Sequence, residues 1–291
     1  MKITTAGSLG NVSQPLVRLL IAAGHDVTVI SSNADKQSAI EALGAKAAIG
    51  SISDAGFLTR AFTGADAVYT MTPPAMGQNI VENIAKAGEA YAEAIKTSGV
   101  KRVVMLSSIG ADVAEGTGPV KGVYEVEQIF RKLHGVNVTF VRAGNFYYNF
   151  LRDIPMIKKD HILGSNYRGD DKLLLAHPYD IAAAIADELQ REGNDIDVRY
   201  MISDISTGNE VAAVLGKAIG EPRLRWVAFE DEQWRQGLLA AGLPAELAGL
   251  LTEMGQGMKA GLLTRDFLSS GAAVTGKIKL EDFAEEFRRK F

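Results

Sequence analysis

The sequence predicts an α/β fold: a doubly wound parallel sheet followed by a smaller α/β unit. Three observations carry that expectation. Short aliphatic and β-branched runs alternate with stretches of helical spacing through the first 150 residues. The first such pair is joined by a tight turn containing Gly7 and Gly10. The chain, 291 residues and 47% hydrophobic, is long enough for one large domain or two modest ones and can bury a sizeable core.

Lys2-Ile3-Thr4-Thr5-Ala6 reads as the first strand. Gly7-Ser8-Leu9-Gly10-Asn11-Val12-Ser13 is the turn, and Pro15 to Ala23 carries apolar residues at Leu16, Leu19, Leu20 and Ala23, a helical spacing. Gly24-His25-Asp26 stops that helix, and Val27 to Ile30 is the second strand. Strand, turn, helix, strand is a βαβ unit with a right-handed crossover. Gly7 lets the chain leave the strand sharply. Gly10 removes a side chain where backbone N–H groups must approach a pyrophosphate, and the helix N-terminus adds unpaired donors and a partial positive charge. Gly7, Ser8, Leu9, Gly10, Asn11 and Val12 are therefore the expected phosphate cradle of a Rossmann-type dinucleotide site. Ser13 stands where a third glycine is usual and is expected to pack against the strand.

The string Ile3-Thr4-Thr5-Ala6-Gly7-Ser8-Leu9-Gly10-Asn11-Val12 resembles the opening of NmrA-like proteins, V-T-G-A-T-G-N-V-G, which are atypical short-chain dehydrogenase/reductases. Further matches extend the resemblance over nearly the whole chain. It looks closest to the bacterial NAD(P)H-dependent quinone and azo-dye (triphenylmethane) reductase branch. The resemblance implies a Rossmann domain, a nicotinamide cofactor and a substrate cleft against a smaller C-terminal domain. The expected division is 1–150 for the dinucleotide domain, with part of 175–205 returning to it, and 151–291 for the substrate domain.

After the second strand, Ser31-Ser32-Asn33-Ala34-Asp35-Lys36 lies where the adenosine ribose of a dinucleotide would sit. An acidic residue there selects NAD and a basic one accommodates the NADP phosphate. Ser31, Ser32 and Asn33 suit hydrogen bonds to a 2′-phosphate and Lys36 suits its charge, which favours NADP over NAD. The same stretch also reads as a turn capping a helix over 34–43, with Asn33 or Ser32 as N-cap. Ala45 to Ile49 is strand three. Asp54 caps a helix from Ala55 to Phe62, within a turn resembling the family's G-D-x-x-D. Ala67 to Met71 is strand four, ended by Thr72-Pro73-Pro74. Ligands of doubly wound sheets lie beyond the carboxyl ends of the strands, so Met71, Thr72 and Pro73 are cofactor-edge candidates. Asn79 to Ser98 is a long helix with a core-facing stripe. Gly99-Val100-Lys101-Arg102 leads into strand five, ending at Ser107-Ser108, and this string resembles short-chain reductases strongly.

In those reductases a serine at this strand end and a Tyr-x-x-x-Lys helix carry the chemistry. Tyr124 is followed four residues later by Gln128, which cannot depress a phenol pKa as an ammonium does. The standard dyad is thus read as absent. NmrA-like proteins keep a Lys or His four residues before a helix glutamate. Glu127 looks like that glutamate, and the counted position is Val123. Lys121 and Tyr124 are the remaining catalytic candidates, with Ser107 and Ser108 at the cofactor. Hydride transfer to an electron-poor acceptor needs the reactants held face to face, and water can supply the proton. A non-catalytic NADP(H)-binding regulator of a protein partner is the alternative. An epimerase-type isomerase is disfavoured because it too wants the Tyr/Lys pair.

Val136 to Val141 is strand six. The following Arg142-Ala143-Gly144-Asn145-Phe146-Tyr147-Tyr148-Asn149-Phe150 resembles the family's R-x-x-x-[FWY]-x-x-N segment. Asn145, Phe146, Tyr147 and Asn149 are the expected lining of a flat aromatic cleft suited to a small planar substrate. Phe146 and Phe150, four residues apart, also read as core. His177, before Asp180 in an element resembling v-x-x-x-D-[LIV]-A, is a further pocket candidate. Strands near 199–202 and 224–229 and helices from 209 and 230 fill the second unit. Gly255 to Leu263 reads as a mobile lid or a helix-breaking connection. Phe283, Phe287 and Phe291 form a helical stripe that is either core or a homodimer interface.

Composition bounds the rest. A net charge of −4 gives no reason to expect nucleic-acid or membrane binding. Zero cysteines exclude disulfides and thiolate chemistry, and four scattered histidines lack metal-ligand spacing, so no metal is expected. With a strand at residue 2 and no long apolar run, a cytoplasmic location is expected.

Overall fold

The computed structural model describes residues 1–73, 77–193 and 196–291; Pro74, expected to help end strand four, lies outside them. The first half alternates as read: β1 (Lys2–Thr5), α1 (Ser13–Ala22), β2 (Asp26–Ser31), α2 (Gln37–Glu41), β3 (Lys46–Ile49), α3 (Ala55–Phe62), β4 (Ala67–Thr70), α4 (Ile80–Ser98), β5 (Arg102–Ser108), α5 (Val120–Phe130) and β6 (Asn137–Ala143). The second half continues with β7 (Asn145–Phe146), α6 (Ile154–Asp160), β8 (Ile162–Ser165), β9 (Lys172–Ala176), α7 (Pro178–Gln190), β10 (Ile196–Met201), β11 (Asp204–Thr207) and α8 (Gly208–Ile219). It ends with β12 (Arg225–Ala228), α9 (Asp231–Ala240), α10 (Ala245–Lys259), α11 (Arg265–Ser270) and α12 (Leu280–Arg288).

Seven strands pair in parallel in the order β10-β6-β5-β4-β1-β2-β3. Both faces are covered by helices, which is why Ala67–Thr70 is buried at every residue. On one face Leu16, Val17 and Leu20 of α1 meet Ile181, Ile185 and Leu189 of α7. On the other, Phe62, Ile84, Tyr91, Val126 and Phe130 come from α3, α4 and α5. The α4–α5 contact is close because two glycines permit it. A Cβ on Gly88 would lie 2.7 Å from Val126, and one on Gly122 would lie 2.8 Å from Ile84. Strand order reverses between β1 and β4, and that reversal is where ligands enter such sheets.

The second unit is built on β11-β9-β7 and the parallel pair β12-β8. Its core gathers Tyr147, Phe150, Leu163, Leu174, Val211, Leu215, Phe283 and Phe287. Phe283 and Phe287 are wholly buried there and belong to the core, while Phe291, at the end of the stripe, is half-buried against it. The stretch 255–263, read as a lid or a helix-breaking connection, begins inside α10 and leaves it after Lys259 by a turn with Gly261 at positive φ. Gly255 and Gly257 lie inside α10, where their missing side chains allow close approach to Asn166 and to the Gly116 carbonyl. Among the described residues, no helix is long and apolar enough to cross a membrane.

Candidate cofactor and substrate site

The turn after β1 has the geometry its residues call for. Gly7 sits at φ +90°, and a Cβ on it would strike the Ser13 hydroxyl. Ser13 is buried and donates to the Ala6 carbonyl at 3.0 Å, so it ties α1 to the strand end by a hydrogen bond. Ser8 takes a positive φ of 51°, its N–H bonds the Ile30 carbonyl at 3.0 Å, and its hydroxyl donates to Ser31 Oγ at 3.0 Å. The turn is thereby fastened to the end of β2. Gly10 donates to Gly7 O at 3.1 Å and is exposed, with nothing but that carbonyl near its missing Cβ. Among the described residues the N–H groups of Leu9, Asn11 and Val12 have no protein acceptor, and the first turn of α1 holds no acidic side chain. Unspent donors above an open glycine at a helix N-terminus fit a dinucleotide pyrophosphate.

At the adenosine end, Ser31 is buried. Its hydroxyl accepts from Ser8 and the Asn33 N–H and donates to the Asn33 carbonyl at 3.1 Å. These bonds commit it to the turn and leave it no hydrogen for a phosphate. Asn33 Oδ1 accepts from the Asp35 N–H at 2.8 Å, the cap expected, and a 3₁₀ turn over Ala34–Lys36 precedes the shorter helix α2. Ser32, Asn33 and Lys36 are exposed at this edge. Met71 and Thr72 are half-buried beyond β4, Pro73 is exposed, and the Met71 carbonyl accepts from the buried Tyr91 hydroxyl at 3.1 Å.

Beyond β5 the two serines part company. Ser107 is buried and donates to Glu127 Oε1 at 2.6 Å, so its hydroxyl serves a charged network and is not turned to a cofactor. Glu127 is wholly buried and accepts from Arg142 at 3.0 and 2.7 Å and from Arg131 at 3.2 Å. Arg142 reaches on to Asp266 of α11 at 2.6 Å, where the Tyr200 hydroxyl also bonds. Burial alone would weaken the Arg142 cation, but hydrogen bonds and charge from Glu127 outweigh it and raise its pKa. The helix glutamate singled out in the sequence thus holds Arg142, and Arg142 crosses the seam between the units to Asp266. Ser108 lies outside this network. Its hydroxyl donates to the Ile109 carbonyl at 2.9 Å and it lines a cleft.

That cleft runs between the sheet edge and the second unit and encloses about 650 Å³ of space, open water included. Ser108, Ile109, Val120 and Asn145 form one side. Ser165, Tyr167, Trp234, Leu251, Met254, Gly255, Met258 and Leu263 form the other. No charged side chain lines it among the described residues. Its roof is α10, held to the first unit by two carboxylates. Glu246 accepts from the N–H groups of Asn79 and Ile80, both at 2.7 Å, and Glu253 accepts from the Gly116 N–H at 3.0 Å. At the other edge Asp231 binds Lys259 at 2.7 Å, Asn166 at 2.8 Å and Gln256 at 2.8 Å, and these bonds, Lys259 first, pull its pKa to about 2.

The residues expected at the substrate divide. Asn145 lines the cleft, and Asn149, exposed, donates to its Oδ1 at 2.6 Å. Phe146 is half-buried against the sheet core. Tyr147 is wholly buried and stacks on Phe283 at 5.1 Å, so it belongs to the second core. His177 is also wholly buried. Its Nδ1 accepts from the Tyr179 N–H at 3.2 Å to cap α7, Nε2 lies 3.3 Å from Glu286, and burial lowers its pKa despite that carboxylate. It is a capping residue packed among Tyr147, Tyr148 and Tyr179. Lys121 and Tyr124 sit on α5, half-buried, and neither lines the cleft. Lys121 binds Glu115 at 2.9 Å, and that hydrogen bond raises its pKa, which holds it as a cation.

The wall formed by Ser165, Tyr167, Trp234, Met254 and Met258 was missed by sequence reasoning, because these residues converge from separate elements. The one local signal was the glycine pair within an otherwise helical α10.

Comparison with known proteins agrees with this architecture. A family model described as the NmrA-like family matches residues 1–261. The chain is 30% identical over 256 residues to an NAD(P)H azoreductase of Xenophilus azovorans, covering 87% of this chain and 85% of that one. Two solved structures share the fold. An NADPH-dependent quinone oxidoreductase of Escherichia coli, complexed with NADPH, superposes with a TM-score of 0.80 at 22% identity, covering 98% of this chain and 99% of that one. A triphenylmethane reductase of Citrobacter sp. does so with a TM-score of 0.82 at 17% identity, covering 99% and 100%.

Proposed function

The chain belongs to the NmrA-like family, and on that premise we propose that it is an NAD(P)H-dependent reductase delivering hydride to a small planar acceptor of the quinone or azo-dye class. The observation that carries this reading is the adjacency of two features at one sheet edge. One is the turn at Gly7–Val12, where among the described residues the N–H groups of Leu9, Asn11 and Val12 are unspent. The other is an uncharged cleft lined by Tyr167, Trp234, Met254 and Met258 beside Ser108. Reduced nicotinamide supplies the hydride when bound. The chain's part is to hold the dinucleotide by backbone donors, to sandwich an aromatic acceptor and to keep water from the contact.

Neither Lys121 nor Tyr124 reaches the cleft, which supports a mechanism without the Tyr-x-x-x-Lys dyad. The exposed Ser32, Asn33 and Lys36 favour NADP over NAD. The same reading takes a small molecule as partner, with no nucleic acid or membrane, in the cytoplasm. A non-catalytic NADP(H) sensor is the second reading, favoured by Val123 in place of the family's basic residue and by the commitment of Lys121 to Glu115. NADPH and NADH oxidation at 340 nm with a quinone panel separates the two. Turnover well above the rate without protein is expected; dinucleotide binding without turnover would leave the sensor.

A further inference from the structure

Reduction of a quinone or azo group consumes a hydride and a proton, and the cleft holds few groups that can give a proton. Ser108 donates to the Ile109 carbonyl and Ser165 to Asn166 Oδ1, at 2.9 and 3.5 Å. Trp234 and Asn145 carry N–H groups that hydrogen-bond but do not ionise near neutrality. Among the described residues Tyr167 is the lining side chain with an acidic O–H. Its carbonyl accepts from Trp226 Nε1 at 3.1 Å and its ring leans on that indole, with centroids 5.1 Å apart. Backbone and ring are thus fixed, while the hydroxyl has no protein partner among the described residues.

Asp153 stands behind it, at the start of α6. An aspartate at such a place ordinarily accepts from N–H groups of the first helical turn. Asp153 does not: its backbone is already helical, at φ −87° and ψ −6°, and its side chain makes no cap. It is half-buried, and its neighbours Leu151 and Ile154 pack on the same core as Tyr167. Burial pushes the Asp153 carboxyl up to about 7 against the pull of Arg152, the next residue along the chain. Burial raises the Tyr167 phenol as well, and Asp153 and Asp171 are close enough to add to it. Asp171 is held by Arg168 at 2.7 Å, and Asp231, beside Asn166, by Lys259 at 2.7 Å. Among the described residues Asp153 is therefore the carboxyl near Tyr167 that has no ion pair.

We propose that Tyr167 gives the acceptor its proton and that Asp153, behind it, replaces that proton. The proposal rests on the reductase reading. In the step, a hydride leaves a C–H bond of the reduced nicotinamide and bonds to one end of the acceptor's π system. The π electron pair moves to the heteroatom at the other end, so the acceptor is reduced as the nicotinamide is oxidised. That heteroatom takes the Tyr167 hydroxyl proton, and the hydroquinone or hydrazine is complete. The phenolate takes the proton of the Asp153 carboxyl, and water returns one to the carboxylate once product leaves. A phenol in a low-dielectric wall is a poor acid by itself, because its anion is disfavoured there. A neutral carboxyl behind it keeps that anion from persisting. The pair comes from the second unit and does without the Tyr-x-x-x-Lys helix.

The first readout needs no dinucleotide. Infrared difference spectra of wild type against Asp153→Asn follow the carboxyl band through a pH titration. The band is expected below about pH 7 and lost above it. A carboxyl that ionises in the usual carboxylate range overturns the proposal. The second readout is turnover with NADPH, using methyl orange and 1,4-naphthoquinone. Wild-type kcat falls as pH rises through about 7, because the proton source must be protonated. Asp153→Asn loses that fall and Asp153→Glu keeps it. Below that pH, Tyr167→Phe and Asp153→Asn lower kcat about 100-fold on the dye and about tenfold on the quinone. The hydroquinone anion is the weaker base of the two products and draws less on a positioned acid. KM and NADPH affinity change less than about threefold, since the proton moves after binding. The Tm of Asp153→Asn at about pH 8 stays at or above that of wild type, because a buried charge goes and no partner is lost, so the lost rate is not a lost fold. Unchanged kcat in both variants on every acceptor that wild type reduces sinks the inference alone, as does a pH profile that Asp153→Asn leaves in place. A wild type that reduces neither acceptor sinks the reductase reading and the inference together.

Discussion

The glycine turn and the substrate cleft stand at one sheet edge, yet they are made in opposite ways. The turn is seven consecutive residues whose function is in the backbone: Gly7 at φ +90°, Ser8 at φ 51° and, among the described residues, the free N–H groups of Leu9, Asn11 and Val12. The cleft is an assembly of side chains from β5, α5, β7, β8, α9 and α10, separated by as much as 155 residues between Ser108 and Leu263. A backbone device depends on local conformation. An assembled cleft depends on whatever holds its walls together. The two therefore fail under different substitutions.

The buried network behind the seam is the largest lever. Glu127→Ala takes two hydrogen bonds from the buried Arg142, leaving it only Asp266, and orphans the Ser107 hydroxyl, and about 3 kcal/mol of unfolding free energy should be lost. Urea denaturation reads this, and a loss under about 1 kcal/mol would mean the network contributes little to stability. Next is the turn. Gly7→Ala sets a Cβ against Ser13 and puts a side chain at positive φ, at a cost of about 2 kcal/mol that appears as roughly thirtyfold weaker dinucleotide binding. Quinone affinity should hold, because the cleft does not use that residue.

Gly255→Ala reverses the pattern. Its Cβ meets Asn166, so it should cost about 1–3 kcal/mol and weaken quinone binding while NADPH binding stays within about twofold. Equal losses of both ligands would break the division between turn and cleft. Glu246→Gln weakens the cap that α10 supplies to α4, costing about 1 kcal/mol in thermal or chemical unfolding. The smallest effect is one of pH. The folded-state pKa of Asp231 is depressed to about 2, so the stability it adds is present above about pH 4 and is lost as pH falls towards 2. At this half-buried, solvent-screened site it is worth less than about 1 kcal/mol. The Tm gap between wild type and Asp231→Asn should narrow from pH 6 to pH 3, and a gap that widens contradicts the assignment.

The same contrast decides what could be read from sequence. The alternation of strands and helices, the turn, the Asp54 cap and the pairing partner Glu127 are local patterns or motif positions, and the structure has them near the expected residues. Ser31 and Ser107 were legible as residues near a ligand edge, but not as hydroxyls already committed to Asn33 and Glu127. Tyr147 and His177 follow the same rule. Proximity to a motif marked them, and burial against Phe283 and the cap of α7 removed them from the cleft. Trp234, Met254 and Met258 carry no motif, since their role arises only when α9 and α10 fold over the sheet. Even Gly255 and Gly257, read as flexibility, mark close packing of a helix.

The central claim is that a dinucleotide is held by the backbone of residues 7–12, and isothermal titration calorimetry of wild type and Gly7→Ala with NADPH and NADH tests it most directly. The account predicts one site per chain in the wild type, NADPH the tighter ligand, and roughly thirtyfold weaker binding in the variant with its fold intact. Absence of binding to either dinucleotide, or equal binding by wild type and variant, would contradict it.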